Sequence, residues 1–270
     1  MLSINTNNAA LVALQGLNNI TNQLNVVTKA VNTGYKVNDA LDDGAAFAVA
    51  QGLRADLKGI DAVTSQLQNS QGLIQVANSA GTQVSNALGD LKGVISTLSN
   101  TDLSTTAQQQ YESQYNSIVS EIQGYISNAS FSGQNLLNTT TAVQVVSTTS
   151  GGQLIITSYN LNTDVISNLG SAPTTAASAI ALLTGGFQTA LDNIGNSLAS
   201  YGAANTAVNN QVTYLQAVSD ATTSGLGSIV DADLSKDSAT LQALQTAQQL
   251  ATQTLSIANQ QPNILLNLFK

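Results

Sequence analysis

Apolar residues recur at a 3-4 spacing between Ile60 and Leu98, and the rest of the chain takes its layout from that stretch. With Ile60 at position a of a heptad, the a and d positions are Ile60, Val63, Leu67, Ser70, Ile74, Ala77, Gly81, Val84, Leu88, Leu91, Ile95 and Leu98. Only Ser70 and Gly81 interrupt the apolar series. The spacing predicts one unbroken helix with an apolar stripe along one side. At 1.5 Å rise per residue it is roughly 60 Å long, so it needs an equally long partner. A second heptad series at 177–226 supplies one. Phe187, Ile194, Tyr201, Val208 and Leu215 fall seven apart, with Leu191, Leu198, Asn205 and Val212 as the companion row. Asn205 is a polar intruder of the kind that fixes register in a coiled coil. Two long helices with matching heptads, separated by a hairpin, predict an antiparallel pair.

Shorter patterns lie around this pair. Residues 4–31 read as a helix whose apolar positions are Ile4, Leu11, Leu14, Leu17, Leu24, Val27 and Val31, with Lys29 as its one charge. Thr33-Gly34 predicts its stop, with Gly34 in a left-handed conformation. Asp42-Asp43 precedes an Ala-rich run, so either carboxylate can cap the long helix, which is expected to run from about Ala45 to Ser99. A catalytic dyad or metal site at these two residues is the weaker reading, because no His or third carboxylate follows at ligand spacing. Gly52, Gly59, Gly72, Gly81, Gly89 and Gly93 along the long helix suggest close approach of neighbouring backbone.

A further helix is expected at about 104–129, then a turn and an apolar anchor at 130–137. Val143-Gln144-Val145 and Leu154-Ile155-Ile156-Thr157 flank Ser150-Gly151-Gly152, which predicts a β-hairpin. Residues 158–176 read as loop. Gly225-Leu226-Gly227 predicts a break, and a last helix over about 235–259, with Leu241, Leu244, Ala251, Leu255 and Ala258, is expected to end at Pro262.

Composition narrows the function. Charged residues make up 8% of the chain, the net charge is −8, and the seven basic residues are scattered. A nucleic-acid groove needs clustered Lys and Arg, and an anionic membrane surface needs the same. With no Cys and no His, thiol nucleophiles, Cys/His zinc sites, disulfides and His-based triads are excluded. No cofactor, metal or catalytic residue is expected, and an enzyme is remote. No window reaches the ~20 apolar residues of a membrane span. The first eight residues have neither a basic nor an apolar signal region, so export, if it occurs, is expected to proceed without a cleaved signal peptide.

The terminal helices are too polar to form a core alone and too poor in charge to be well solvated. From Ser238 to Asn267 no residue is charged. Burial between many copies of the same chain accounts for both properties, since near-absent charge avoids like-charge stacking between identical subunits. A head-to-tail contact that does not close into a ring propagates as a filament. The expectation is a self-assembling filament subunit whose ends order on assembly.

The sequence also resembles a known family. The run Val31-Asn32-Thr33-Gly34-Tyr35-Lys36-Val37-Asn38-Asp39-Ala40-Leu41-Asp42-Asp43-Gly44-Ala45-Ala46 is similar to the Leu-Ser-Thr-Gly-Tyr-Arg-Ile-Asn-Ser-Ala-Lys-Asp-Asp-Ala-Ala-Gly signature of bacterial flagellin. Ile4-Asn5-Thr6-Asn7, Ser130 through Leu137, Asp231-Ala232-Asp233 and Ala258-Asn259-Gln260-Gln261-Pro262-Asn263 resemble further motifs of that family, in the same order. The resemblance implies a mainly α fold: a long antiparallel helical rod with a small β-hairpin near 142–159, and paired N- and C-terminal helices. It implies an inner filament-core domain from 1–45 and 227–270, and an outer rod domain at 46–226. Core assembly would use Leu11, Leu14, Leu17, Leu24, Val27, Leu241, Leu244, Leu255, Ile264 and Leu265.

It further implies an extracellular propeller filament for swimming motility, with export of the unfolded chain through the flagellum's own type III channel. The implied partners are further copies of the chain, hook-associated junction and cap proteins, and an export chaperone. Flagellins that activate the vertebrate Toll-like flagellin receptor carry Leu-Gln-Arg-Val-Arg-Glu-Leu on the long helix. Here the run is Leu88-Gly89-Asp90-Leu91-Lys92-Gly93-Val94, so Gly89, Asp90 and Gly93 depart from it and weak or absent activation is expected. Ser and Thr at 139–150 and 171–178 are candidate O-glycosylation positions. A related hook–filament junction protein and a secreted coiled-coil adhesin are the competing readings; the brief β segment favours flagellin over the first.

Overall fold

The computed structural model describes residues 6–268, with side chains described through Gln260. The chain divides into two compact units: Lys58–Ser219, and a second made of the residues up to Leu57 together with those from Asp220 onward. The helices are α1 (Asn8–Thr33), α2 (Gly44–Leu98), α3 (Thr105–Asn128), α4 (Ser167–Leu169), α5 (Ala176–Thr184), α6 (Gly186–Val230) and α7 (Leu234–Leu268). The strands β1 (Val143–Val146) and β2 (Gln153–Ile156) form one antiparallel hairpin, with Val143 opposite Ile156 and Val146 opposite Gln153.

Within the Lys58–Ser219 unit, all twelve heptad positions of α2 are buried. Ser70 is tolerated because its hydroxyl donates to the Gln66 carbonyl one turn back, at 2.9 Å. Gly81 is where α6 comes close: a Cβ there would lie 2.9 Å from Leu198 Cδ2. Gly72 makes room for the Phe131 ring in the same way, with Cζ 2.8 Å from an added Cβ. On α6, Phe187, Ile194, Tyr201, Val208 and Leu215 are buried, and Leu191, Leu198, Asn205 and Val212 are half-buried. Gln71 donates to Asn209 at 2.5 Å, while Gly81 faces Ile194 and Leu198, so residue numbers rise on α2 as they fall on α6 and the pair is antiparallel.

Two buried phenols tie the pair to the rest of this unit. Tyr115 donates to the Leu169 carbonyl at 2.7 Å, and Tyr201 to the Leu136 carbonyl at 2.9 Å. Burial pushes the Tyr115 phenol up to about 12 and raises Tyr201 as well. Each hydroxyl has an acceptor, so neither incurs the cost of an unmet buried donor, about 1–3 kcal/mol. The turn at Phe131–Gln134 closes with paired backbone bonds of 2.8 and 3.0 Å and places Ser132 and Gly133 at positive φ. Leu136 and Leu137 follow as fully buried anchors.

Four features differ from the sequence expectation. The 158–176 segment is not all loop: a π-helical turn at Asn162–Ile166 leads into α4 and buries Val165 and Leu169. The Asp164 carbonyl there accepts from Asn193 on α6 at 2.7 Å, a tertiary contact that local composition does not announce. The second long pattern is split at Gly185 into α5 and α6, with α5 started by a reciprocal capping box between Thr175 and Ser178. Gly225 and Gly227 do not break α6, which continues to Val230. Glycine still supplies its amide to the helix and costs only about 1 kcal/mol, and Val230 is held in a small apolar cluster with Val37 and Ala50. Pro262 does not end α7, which runs to Leu268.

Candidate functional site

The unit that contains both chain ends is built on α1 and α7. Asn7 caps α1, its Oδ1 accepting the Ala10 amide at 3.1 Å. Gly34 stops the helix with φ of 75° and donates its amide to the Ala30 carbonyl at 2.8 Å. Asp233 Oδ1 accepts the amides of Ser235 and Lys236, both at 3.1 Å, and so starts α7. Asn7, Leu11 and Leu14 share one groove with Leu255 and Asn259, whereas Val26 and Val27 share another with Thr240 and Leu244. The two helices are therefore antiparallel.

Their packing is incomplete. Of the positions singled out in the sequence, Leu17, Leu24, Val27, Leu241, Leu244 and Leu255 are half-buried, while Leu11 and Leu14 are exposed. Ile264 and Leu265 lie outside the residues whose side chains are described. Full burial is reached at small residues, Ala30 and Ala258. Val12 is 70% exposed, Val26 63%, Leu250 59% and Ile257 64%, so apolar side chains face outward from both helices. Several hydroxyls on these helices are satisfied locally: Thr21, Thr246 and Thr254 each donate to the carbonyl four residues back on their own helix. An outer surface that mixes apolar groups with uncharged carboxamides, such as Gln15, Asn22, Gln245 and Gln253, and locally bonded hydroxyls is suited to packing against protein.

The segment after α1 is wound around one cation. Lys29 Nζ meets Asp39 Oδ2 at 2.7 Å and Asp42 Oδ1 at 2.8 Å. Asp42 Oδ2 also accepts the Asn38 and Asp39 amides, and Asp39 Oδ1 accepts the Leu41 amide at 2.8 Å. Asp43 is the carboxylate that caps α2, taking the Ala45 and Ala46 amides at 3.0 Å. The segment is then pinned to the end of α6: the Lys36 amide donates to the Val230 carbonyl at 2.8 Å, the Lys36 ammonium to the Ser228 carbonyl at 2.9 Å, and the Ala232 amide to the Gly34 carbonyl at 2.9 Å. Among the described residues, no three metal-ligating side chains gather at one place, and no helix is long and apolar enough to cross a membrane.

Hydrogen bonding from Lys29 holds the Asp39 and Asp42 carboxyls below their ordinary value, with backbone amides adding to the effect; the same pairing raises Lys29. Depressed carboxylates contribute stability that is complete above about pH 4 and lost as pH falls through the folded values. The raised lysine contributes below about pH 10 and is lost above it. Amide protection at 38–42, corrected for intrinsic exchange, is thus expected to stay flat from pH 5 to 8 and to fall between pH 4 and 2. In Lys29→Met, carboxyl NMR titration should find both aspartates closer to ordinary values; unchanged titrations would refute the arrangement.

Family models match both ends of the chain: the bacterial flagellin N-terminal helical region over residues 4–142, and the bacterial flagellin C-terminal helical region over 184–269. The chain belongs to the bacterial flagellin family. It is 37% identical to flagellin FljM of Caulobacter vibrioides over 269 residues, covering 99% of this chain and 98% of that one. It is 33% identical to a flagellin of Brucella melitensis, over the full length of both. The crystal structure of Bacillus cereus flagellin shares the fold with a TM-score of 0.52 at 18% identity, over 56% of this chain and 88% of that one. A putative flagellar hook-associated protein from Vibrio parahaemolyticus gives 0.59 at 12% identity, over 70% and 100%. As a flagellin, the chain is a structural subunit of the extracellular flagellar filament, which serves motility, and not an enzyme.

In this flagellin Gly89, Asp90 and Gly93 lie on α2 among the buried Leu88, Leu91 and Val94, and Asp90 and Gly93 are exposed. An added Cβ at either glycine would meet nothing within 4 Å, so this face of α2 is open where larger side chains would otherwise stand. Three side chains that make the long-range polar contacts of this unit were not singled out in the sequence: Asn7, Lys29 as an ion partner, and Lys36. For Lys29 the signal was present, since it is the sole charge on α1 and three aspartates follow within fourteen residues.

Proposed function

We propose that this flagellin polymerises through the outward apolar residues of α1 and α7, with residues 1–45 and 227–270 forming the filament core and 46–226 the outer domain. The observation that carries the reading is the outward exposure of Val12, Val26, Leu250 and Ile257 on helices that have almost no charge. Fully burying one such side chain is worth about 1.5–3 kcal/mol, and a filament repeats that gain at every subunit. A non-closing contact between such faces extends without limit. Family membership supports the remaining steps: export of the unfolded chain through the flagellar type III channel without a cleaved signal, a chaperone bound to the C-terminal helix before export, and junction and cap proteins at the ends of the filament.

Purified monomer mixed with short filament seeds should grow long uniform filaments in negative-stain electron microscopy. Soluble, helical protein that forms only short caps would overturn this assembly reading and favour a junction role instead.

The surface at Gly89, Asp90 and Gly93 gives a second expectation. A receptor that reads an Arg and a Glu on this helix face loses one charge and meets the opposite sign at the other. Truncating one partner of a desolvated charge pair costs about 2–5 kcal/mol, a loss of roughly 30-fold or more in affinity. A cell reporter for the vertebrate Toll-like flagellin receptor should respond weakly or not at all to purified protein. A full-strength response would overturn this.

A further inference from the structure

We infer that Asn7 and Pro262 together form a clasp that sets the register of α1 against α7. In a regular helix the Ala258 carbonyl accepts the amide of residue 262. Residue 262 is proline and has no amide hydrogen, yet α7 continues through it. The Ala258 carbonyl is thereby left without its regular donor, in a buried residue. Asn7 Nδ2 donates to this oxygen at 2.7 Å, across 251 residues of chain. The same carboxamide caps α1 through Oδ1, which accepts the Ala10 amide at 3.1 Å. One side chain thus meets an orphan donor at the start of α1 and an orphan acceptor within α7.

The pair needs such a device. Lys29, the one charge on α1, is paired with Asp39 and Asp42. The charges of α7, Lys236 and Asp237, stand in its first turn, with none between Ser238 and Asn267, and among the described residues no ion pair joins the two helices. Leu17, Leu24 and Val31 repeat every seven residues, as do Leu244, Ala251 and Ala258, so a slide of one heptad would leave apolar contacts largely intact. A polar group with a single partner discriminates between registers that apolar contacts do not. Among the described residues no other hydrogen bond joins α1 to α7. The clasp belongs to the folding of one chain and does not depend on the assembly reading.

The test separates cap from clasp. Asn7→Asp keeps the acceptor for Ala10, and a helix N-terminus favours its charge. It also removes the donor and sets a carboxylate against the Ala258 carbonyl. A cap alone therefore predicts equal or better protection of the amides at 10–14, whereas the clasp predicts faster exchange there and at 254–260. Asn7→Ser keeps a cap but loses the reach to Ala258. It is expected to speed exchange at both places about three- to tenfold, the range of one net hydrogen bond. In a Pro262→Ala chain the helix supplies its own donor to Ala258, so the effect of Asn7→Ser at 254–260 should fall by at least half. Hydrogen exchange of the full-length chain, both soluble and pelleted, reads all of these. Protection in Asn7→Asp equal to wild type, an Asn7→Ser effect unchanged by Pro262→Ala, or no wild-type protection at 10–14 in either state would each overturn the clasp.

Discussion

Leu91→Ala is expected to lower the unfolding free energy by about 2–5 kcal/mol, the range for emptying a fully buried leucine site. Leu91 is fully buried in the α2 stripe and shares a core cluster with Leu88 and Ile95 of α2 and Phe187 and Ile194 of α6. The paired helices face each other along continuous stripes, so a methyl-sized collapse at one level is resisted by well-filled levels above and below. A unit of this size loses about 2–4 °C of Tm per kcal/mol, so the midpoint should fall by roughly 4–20 °C. Gly89→Ala, two residues away, should act in the opposite direction. Its added methyl meets nothing within 4 Å, and replacing a helix glycine by alanine gains about 0.5–1 kcal/mol. Thermal unfolding of the two variants beside wild type checks both signs. A Leu91→Ala midpoint within a degree of wild type would refute the packing, and a destabilised Gly89→Ala would mean that this face of α2 is occupied in solution.

A chain ending at Thr240 is expected to keep its folded Lys58–Ser219 unit and to lose polymerisation altogether. That unit closes its own core, with both long stripes and the hairpin inside it. Removing Leu241 onward takes away most of α7 and leaves the α1 stripe with no partner, so the surface on which subunits would stack is not built. Circular dichroism should report a cooperative helical transition, while sedimentation with seeds should leave all protein in the supernatant. Filaments from this truncation would sink the assembly reading. A finer version is Ile257→Ser: the side chain is 64% exposed, so monomer stability should hardly move. If that surface is buried in the filament, losing about 1.5–3 kcal/mol per contact raises the critical concentration by roughly tenfold or more.

The helical stretches with long periodic patterns were legible in the chain itself. A heptad series of twelve positions, ten of them apolar, leaves one geometry that buries them together, and the matching series at Phe187–Leu215 names its partner. The hairpin was legible because Gly151 and Gly152 sit between two β-branched runs; Gly151 adopts φ of 87° there. The scarcity of charge at both ends pointed to assembly before any contact was known. Gly34 as a helix stop followed from the local preference for left-handed backbone, which needs no tertiary partner.

Other features depend on contacts between residues far apart in sequence, and local pattern is silent about them. Gly225 and Gly227 read as a break because helix propensity is a small local term, which packing of Val230 against Val37 and Ala50 outweighs. The 162–169 segment reads as loop until Asn193 and Tyr115 supply donors to its carbonyls. Lys29 is one ordinary lysine until the chain turns back and brings Asp39 and Asp42 to it. Pro262 reads as a stop because the sequence records only the hydrogen bond it removes. The tertiary structure supplies the replacement, the Asn7 carboxamide, from the opposite end of the chain. Periodicity determined which residues are buried together; which unmet backbone group finds a partner was decided by the fold, because a hydrogen bond needs two atoms at one place and the sequence gives the position of neither.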